Sequence, residues 1–309
     1  MRKGHRQSGV ALLLVLVVVA IATVVTTAVT WRQHLLLARS ENLLFDDQAM
    51  RYIRGAEAWA GQILAEEARR NRTDSASDMW AVALPPVPIE GGTISGSLRD
   101  LQARFNLNNL AAVEDATRAR QETRMRRLLG ARELPEDAVE ALVDWVDEDS
   151  IPRGRGGAED DYYSRLEPPY LAANAPFGHL TGMVLVRGFG NAGMGRLADA
   201  VTVLPGQTPI NVNTAPVPVL TLLGLDITQA ERAVRERAET PFRSISGFTS
   251  RLGIDRGNFD ASGLSVDSRY FELTTRVEIS GRTVRHFSLL HRLAAGREVA
   301  VLQRSQTAF

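Results

Sequence analysis

The chain has 309 residues, with 36 basic and 36 acidic side chains, a formal net charge of zero and no cysteine. That length suits a membrane helix plus about two soluble domains. Zero net charge argues against a general polyanion-binding surface, and the lack of cysteine excludes disulfides and cysteine-ligated metals.

Residues 10–29 carry no charge, and Thr23, Thr26 and Thr27 are their only polar side chains. About 20 helical residues at roughly 1.5 Å each cross a ~30 Å hydrocarbon core. Arg2, Lys3, His5 and Arg6 precede the run, so the positive-inside rule places the N-terminus in the cytoplasm and everything beyond Trp31 on the far side. Three readings fit this junction. It is a plain single-pass anchor, or a secretory signal cut at Ala20-Ile21-Ala22, or a prepilin-type leader cut after Gly9 that keeps the apolar helix beginning at Val10. The following segment favours the third. Residues 31–69 contain no proline, and Leu36, Leu43, Phe45, Ala49, Ile53, Ala56, Ala60 and Ile63 recur near helical spacing. The helix is expected to continue for ~60 residues, roughly 90 Å.

A polar break at 71–78 and a turn or linker at Pro85-Pro86-Val87-Pro88 come next. Residues 93–101 alternate as a strand, and 270–278, 283–291 and 298–304 read as three more near the C-terminus. Helices are expected at 121–129, at 135–146 with Pro135 in the first turn, and at 228–239. Leu180, Met183, Val184 and Arg187 read as a helix ending at Gly188. The expected fold class is α+β: a pilin-like N-terminal helix packed on an antiparallel sheet, with a large inserted, mostly helical domain. Phe105-Asn106-Leu107-Asn108-Asn109-Leu110 echoes Ile210-Asn211-Val212-Asn213-Thr214-Ala215. The echo points to two related subdomains, with chance as the competing account. The boundaries are a leader at 1–9, a transmembrane helix at 10–30, a first pilin-like part at 31–104, the insertion at 105–265 (subdomains 105–204 and 205–265) and the C-terminal strands at 266–309.

A set of motifs in order along the chain resembles one family. They are Gly9 followed by Val10-Ala11-Leu12-Leu13, the two asparagine motifs, Leu142-Val143-Asp144-Trp145-Val146-Asp147-Glu148-Asp149, Gly157-Ala158-Glu159-Asp160-Asp161-Tyr162-Tyr163, Pro169-Tyr170-Leu171-Ala172-Ala173-Asn174 and Leu185-Val186-Arg187-Gly188. Together they resemble the K-type minor pseudopilin of the type II secretion system. The resemblance implies a tip subunit of a short periplasmic pseudopilus, partnered by I-type and J-type minor pseudopilins and other pseudopilus subunits. It also implies an inner-membrane anchor and cleavage after Gly9 by a prepilin peptidase that methylates Val10. Most pilin-like subunits carry Glu at the fifth mature position. Here that position is Leu14, as the K-type subunit would have it. A carboxylate in the bilayer is costly unless paired, and a first subunit has no predecessor whose terminal amine could pair with it.

The densest charge feature is Asp144, Asp147, Glu148, Asp149, Glu159, Asp160 and Asp161 against Arg153 and Arg155, around a loop holding Pro152, Gly154, Gly156 and Gly157. By composition it is an exposed acidic loop or a cation site, and position 151 is Ile, which breaks an EF-hand. The resemblance implies structural calcium, with Asp147, Asp149, Glu159, Asp160, Asp161 and Asn174 as candidate ligands. Asp144, one turn before Asp147, either shares that face or pairs locally.

Other motifs carry less. The 210–244 stretch resembles helix-hairpin-helix DNA-binding modules of uptake machinery. It lacks the double-glycine hairpin, however, and Asp226 sits where phosphate would lie. Gly188-Phe189-Gly190-Asn191-Ala192-Gly193 matches a dinucleotide pattern without βαβ context and reads as an interhelical loop. The five histidines show no zinc spacing, no nucleophile elbow occurs, and no enzyme is expected. A type IV pilus minor pilin, the remaining alternative, would carry Glu in place of Leu14.

Overall fold

The computed structural model describes residues 7–255, 257, 259–293 and 298–309. The leader residues Arg2, Lys3, His5 and Arg6 lie outside the described residues. One helix, α1, spans Gln7–Arg70. The chain divides into two units between Arg54 and Gly55.

In the first unit the apolar run is helical throughout and its large side chains are exposed. Thr23, Thr26 and Thr27 each donate their hydroxyl to the carbonyl four residues back, at 2.8 Å. This local bonding lets a hydroxyl lie in hydrocarbon without an orphaned donor.

The second unit opens with the last turns of α1. Asn71–Asp78 then forms a tight polar turn in which Ser75 N and Oγ donate to Asp78. Strand β1, Leu84–Ile89, follows a single 3-10 turn and pairs antiparallel with β2, Gly92–Asp100. The proline run expected as a turn or linker is thus a strand. It lies at the sheet's edge, where one side of the backbone needs no partner, and its register shifts between Leu84 and Val87.

After β2 the chain leaves the sheet and returns only at β7. The intervening residues form two segments of similar plan. The first runs from β3 (Phe105–Asn106) through α2 (Asp115–Ala131), α3 (Ala138–Val146), α4 (Asp160–Tyr163) and α5 (Gly190–Leu197) to β4 (Val201–Thr202), which pairs in parallel with β3. The second runs from β5 (Ile210–Asn211) through α6 (Val217–Leu222), α7 (Ile227–Glu239) and α8 (Ile245–Leu252) to β6 (Leu264–Ser265), which pairs in parallel with β5. Asp226 and Gln229 form a reciprocal capping box at the start of α7.

Three local expectations are corrected. α3 starts at Ala138 rather than Pro135, because Pro135 and Glu136 form a turn whose carbonyls receive the N–H groups of Ala138 and Val139. Residues Leu180–Leu185 form a 3-10 turn, not an α-helix. Gly190 to Gly193 is the first turn of α5 rather than loop; Gly188 and Gly190, at φ +90° and +53°, make the bend into it.

Strands β7 (Tyr270–Ile279), β8 (Arg282–Arg292) and β9 (Val299–Ser305) complete an antiparallel five-stranded sheet of order β1-β2-β7-β8-β9. Ala60 and Leu64 of α1 pack with Trp80, Phe271, Leu273 and Leu290 on one face of the sheet. Leu101, Leu204, Phe287, Leu289 and Phe309 join the sheet to the helical region. The fold is α+β, a helix on an antiparallel sheet with a helical insertion in the β2–β7 connection.

Candidate functional site

The acidic loop is built from α3 outward. That helix buries Val139, Leu142, Val143 and Val146 and points Glu140 and Asp144, one turn apart, at the backbone of 153–158. Asp144, fully buried, accepts from Arg153 N (3.1 Å to Oδ2) and Ala158 N (2.8 Å); Glu140 Oε2 accepts from Gly156 N (2.7 Å). The glycines are required by close approach, since a Cβ on Gly156 would lie 2.1 Å from Asp137 O. Burial pushes the Asp144 carboxyl up to about 6, against the backbone donors that lower it. Of the two readings of Asp144, local pairing holds. Its oxygens hold the loop.

With the loop so fixed, Asp147, Asp149 and Glu159 each bring a carboxylate oxygen within 4.8 Å of the others. Asp147 Oδ2 accepts from Arg153 Nε at 3.2 Å, while its Oδ1 is buried without a hydrogen-bond partner among the described residues. Both oxygens of Glu159, only 3% exposed, and Oδ1 of Asn174 are in the same condition. Asn174 adopts φ +44°, and the N–H of the next residue, Ala175, donates to Trp145 O, which sets this segment against the C-terminal end of α3. Burial, followed by the carboxylates of Asp144, Asp147, Asp149 and Asp160, pushes Glu159 up to about 7. Asp147 is raised by burial and by Asp149.

Buried acceptors without a hydrogen-bond partner call for a donor or a cation. Hard carboxylate oxygens on a loop suit Ca²⁺ rather than Zn²⁺. The other two candidates do not join this group. Asp160 Oδ1 accepts from Ala172 N at 2.9 Å, and the Asp161 side chain is 98% exposed and 3.8 Å from Arg165. Glu140 and Arg153 are organisers that sequence reasoning missed. Glu140, four residues before Asp144 on one helix, was the available signal.

The asparagine motifs have matching roles. Asn108 accepts from Phe177 N (2.8 Å) and donates to Phe177 O (3.0 Å), and Asn213 does the same with Phe242 at 2.8 and 2.9 Å. They are structural clamps.

An exposed apolar helix that runs into a helix-on-sheet unit with an insertion defines a pilin-like subunit. Family models of type II secretion system protein K match residues 103–206 and 210–267. Type II secretion system protein K of Pseudomonas aeruginosa is 35% identical over 312 residues, covering 96% of this chain and 92% of the relative. The Klebsiella pneumoniae protein of that name is 31% identical, covering 97% of each. Among solved structures, a chain in the GspK-GspI-GspJ complex from the enterotoxigenic Escherichia coli type 2 secretion system matches with a TM-score of 0.75 and 26% identity, over 86% of this chain and 98% of that one. The chain belongs to the type II secretion system protein K family. It is a minor pseudopilin, and its one N-terminal apolar helix fits a single-pass inner-membrane protein.

Proposed function

We propose that this chain is the tip subunit of a type II secretion pseudopilus, a structural and assembly component of protein export with no catalytic role. Its partners are I-type and J-type minor pseudopilins, as in the complex its fold resembles. The observation that carries the reading is Leu14, in an exposed apolar helix, where a subunit with a predecessor would hold Glu. Prepilin peptidase cuts after Gly9 and methylates Val10. The basic leader stays cytoplasmic, and the β-sheet and helical insertion are periplasmic. Mass spectrometry of the mature N-terminus tests this. The expected species begins at N-methylated Val10, whereas a chain beginning at Thr23 overturns the retained helix.

The loop at 147–159 holds a structural Ca²⁺ through Asp147, Asp149 and Glu159, with Asn174 as a further candidate ligand. The orphaned buried oxygens support this assignment. The ion supplies charge balance and a cross-link between α3 and α4, which a chain without cysteine has no disulfide to provide. In an uncharged detergent the full chain should lose thermal stability in chelator and recover it with Ca²⁺. Equal melting in both rejects the site.

A further inference from the structure

Three arginines on α2, at i, i+4 and i+7, share one face: Arg120, Arg124 and Arg127. With Thr123, Leu223 and Asp260 they line an open cavity of about 280 Å³ between α2 and the second helical segment. Arg124 is 3% exposed. Its Nη2 donates to Ser262 O (2.7 Å) and Asp260 O (3.3 Å), both carbonyls. Arg127 is exposed and reaches Leu222 O at 3.4 Å. Asp260 is the one carboxylate ion-paired here among the described residues, and its partner is Arg120. Three guanidinium charges therefore face one carboxylate. Burial lowers the Arg124 pKa and the neighbouring Arg120 and Arg127 add to that, while Asp260 opposes it. Carbonyls neutralise part of a guanidinium's hydrogen-bonding demand but none of its net charge, so the cavity keeps an excess of positive charge.

A second cavity of about 280 Å³ shares Arg120 and continues past Asn109, Gln121 and Gln207. Gln121 and Gln207 bring amides to its wall, whereas the Asn109 amide is already bonded at both ends to the backbone of Thr208. Gln121 is 5% exposed, and its Oε1 has no hydrogen-bond partner among the described residues. A groove with guanidinium forks at one end and the Gln121 and Gln207 amides beyond them matches a peptide better than a bare ion. Carboxylates meet the forks, and main-chain N–H and C=O groups meet the amides.

We propose that this groove binds an acidic, extended peptide segment of a protein partner, with a carboxylate of that segment seated on Arg124 and Arg127. Asp260, ion-paired with Arg120 beside that seat, is the internal carboxylate whose charge opposes the segment. The site is separate from the acidic loop and would hold whether or not that loop takes Ca²⁺.

The test uses the full chain in an uncharged detergent and the fluorescence anisotropy of a labelled peptide of alternating Glu and Gly. A Gln–Gly peptide and inorganic phosphate serve as comparators. The Glu peptide should bind and the Gln peptide should not. Arg127→Gln should weaken binding by about tenfold or more with unchanged melting, since Arg127 is an exposed residue with one long carbonyl contact. Arg124→Gln should weaken it further, and Asp260→Asn, which removes the neighbouring negative charge, should tighten it. Equal binding of the two peptides, or binding indifferent to Arg127→Gln, overturns the proposal. Phosphate bound in an Arg127-dependent way with no peptide binding also overturns it, and makes the groove a small-oxyanion site.

Discussion

Asn213 bonds both the N–H and the C=O of Phe242, and Asn108 bonds both those groups of Phe177. A primary amide presents a donor and an acceptor side by side, so a short Asn side chain satisfies the N–H and the C=O of one residue together. Asn213→Ala would leave two buried backbone groups unpaired and should cost about 2–4 kcal/mol. Denaturant melts of the full chain, followed by tryptophan fluorescence, would check this, and a loss below ~1 kcal/mol would refute the clamp role. Residue identity made the repeated motif visible in sequence. The bonded phenylalanines were not visible, because each lies far along the chain from its asparagine. The acidic loop divides in the same way. Its seven carboxylates stood out, but which of them bind backbone and which face one another depends on the bend at 153–158. Glu159→Gln keeps the size of the side chain and removes the charge, so it should abolish the Ca²⁺-dependent rise in melting temperature. A rise equal to that of the unsubstituted chain would remove Glu159 from the ligand set.

At the scale of elements, α3 and its following loop act as one piece. The helix offers Glu140 and Asp144 on a single face, and the loop meets them only because Gly156 and Gly157 let its backbone come close. Gly156→Ala would drive a Cβ into the Asp137 carbonyl, which is rigid backbone, and is expected to destabilise by more than about 2 kcal/mol. The same calorimetric or fluorescence melt should show weakened Ca²⁺ response, and an unchanged melt would mean the loop has another path. Strand β1 shows how tertiary position overrides local preference. Pro85, Pro86 and Pro88 argue for a turn in isolation, yet an edge strand needs partners on one side only. By contrast β7 and β8 pair without a shift over their whole length.

Across the whole molecule, the sheet and the second helical segment meet at a buried polar joint. Asp100 accepts from Gln102 N (2.8 Å), Asn211 Nδ2 (3.1 Å), Ser268 Oγ (2.6 Å) and Thr214 Oγ1 (2.5 Å). Asp74 accepts from Ser268 N and ion-pairs with Arg292 beside it. Burial outweighs the hydrogen bonds and pushes Asp100 up to about 6 from its usual 3.8. The folded chain therefore holds this proton more tightly than the unfolded chain. The stabilisation is full below pH ~4 and is lost as pH rises to ~6, a contribution of about 3 kcal/mol. Asp100→Asn should remove that part of the pH dependence between pH 4 and 7 in denaturant melts. A variant with the parent's slope would show that another group carries it.

The sequence by itself determined what rests on local pattern. An uncharged run of 20 residues after basic residues specifies a membrane-type helix, period-2 alternation specifies β2, and the ordered motifs specify the family. Tertiary structure decided what depends on residues distant in the chain: the proline strand at the sheet edge, the division of the acidic loop into organisers and candidate ligands, and the Asp100 joint. Periodicity is a property of neighbours along the backbone and survives in one dimension. Burial, desolvation and hydrogen-bond satisfaction belong to three-dimensional surroundings, and Asp100 meets Asn211 and Ser268 only once the insertion has folded back onto the sheet.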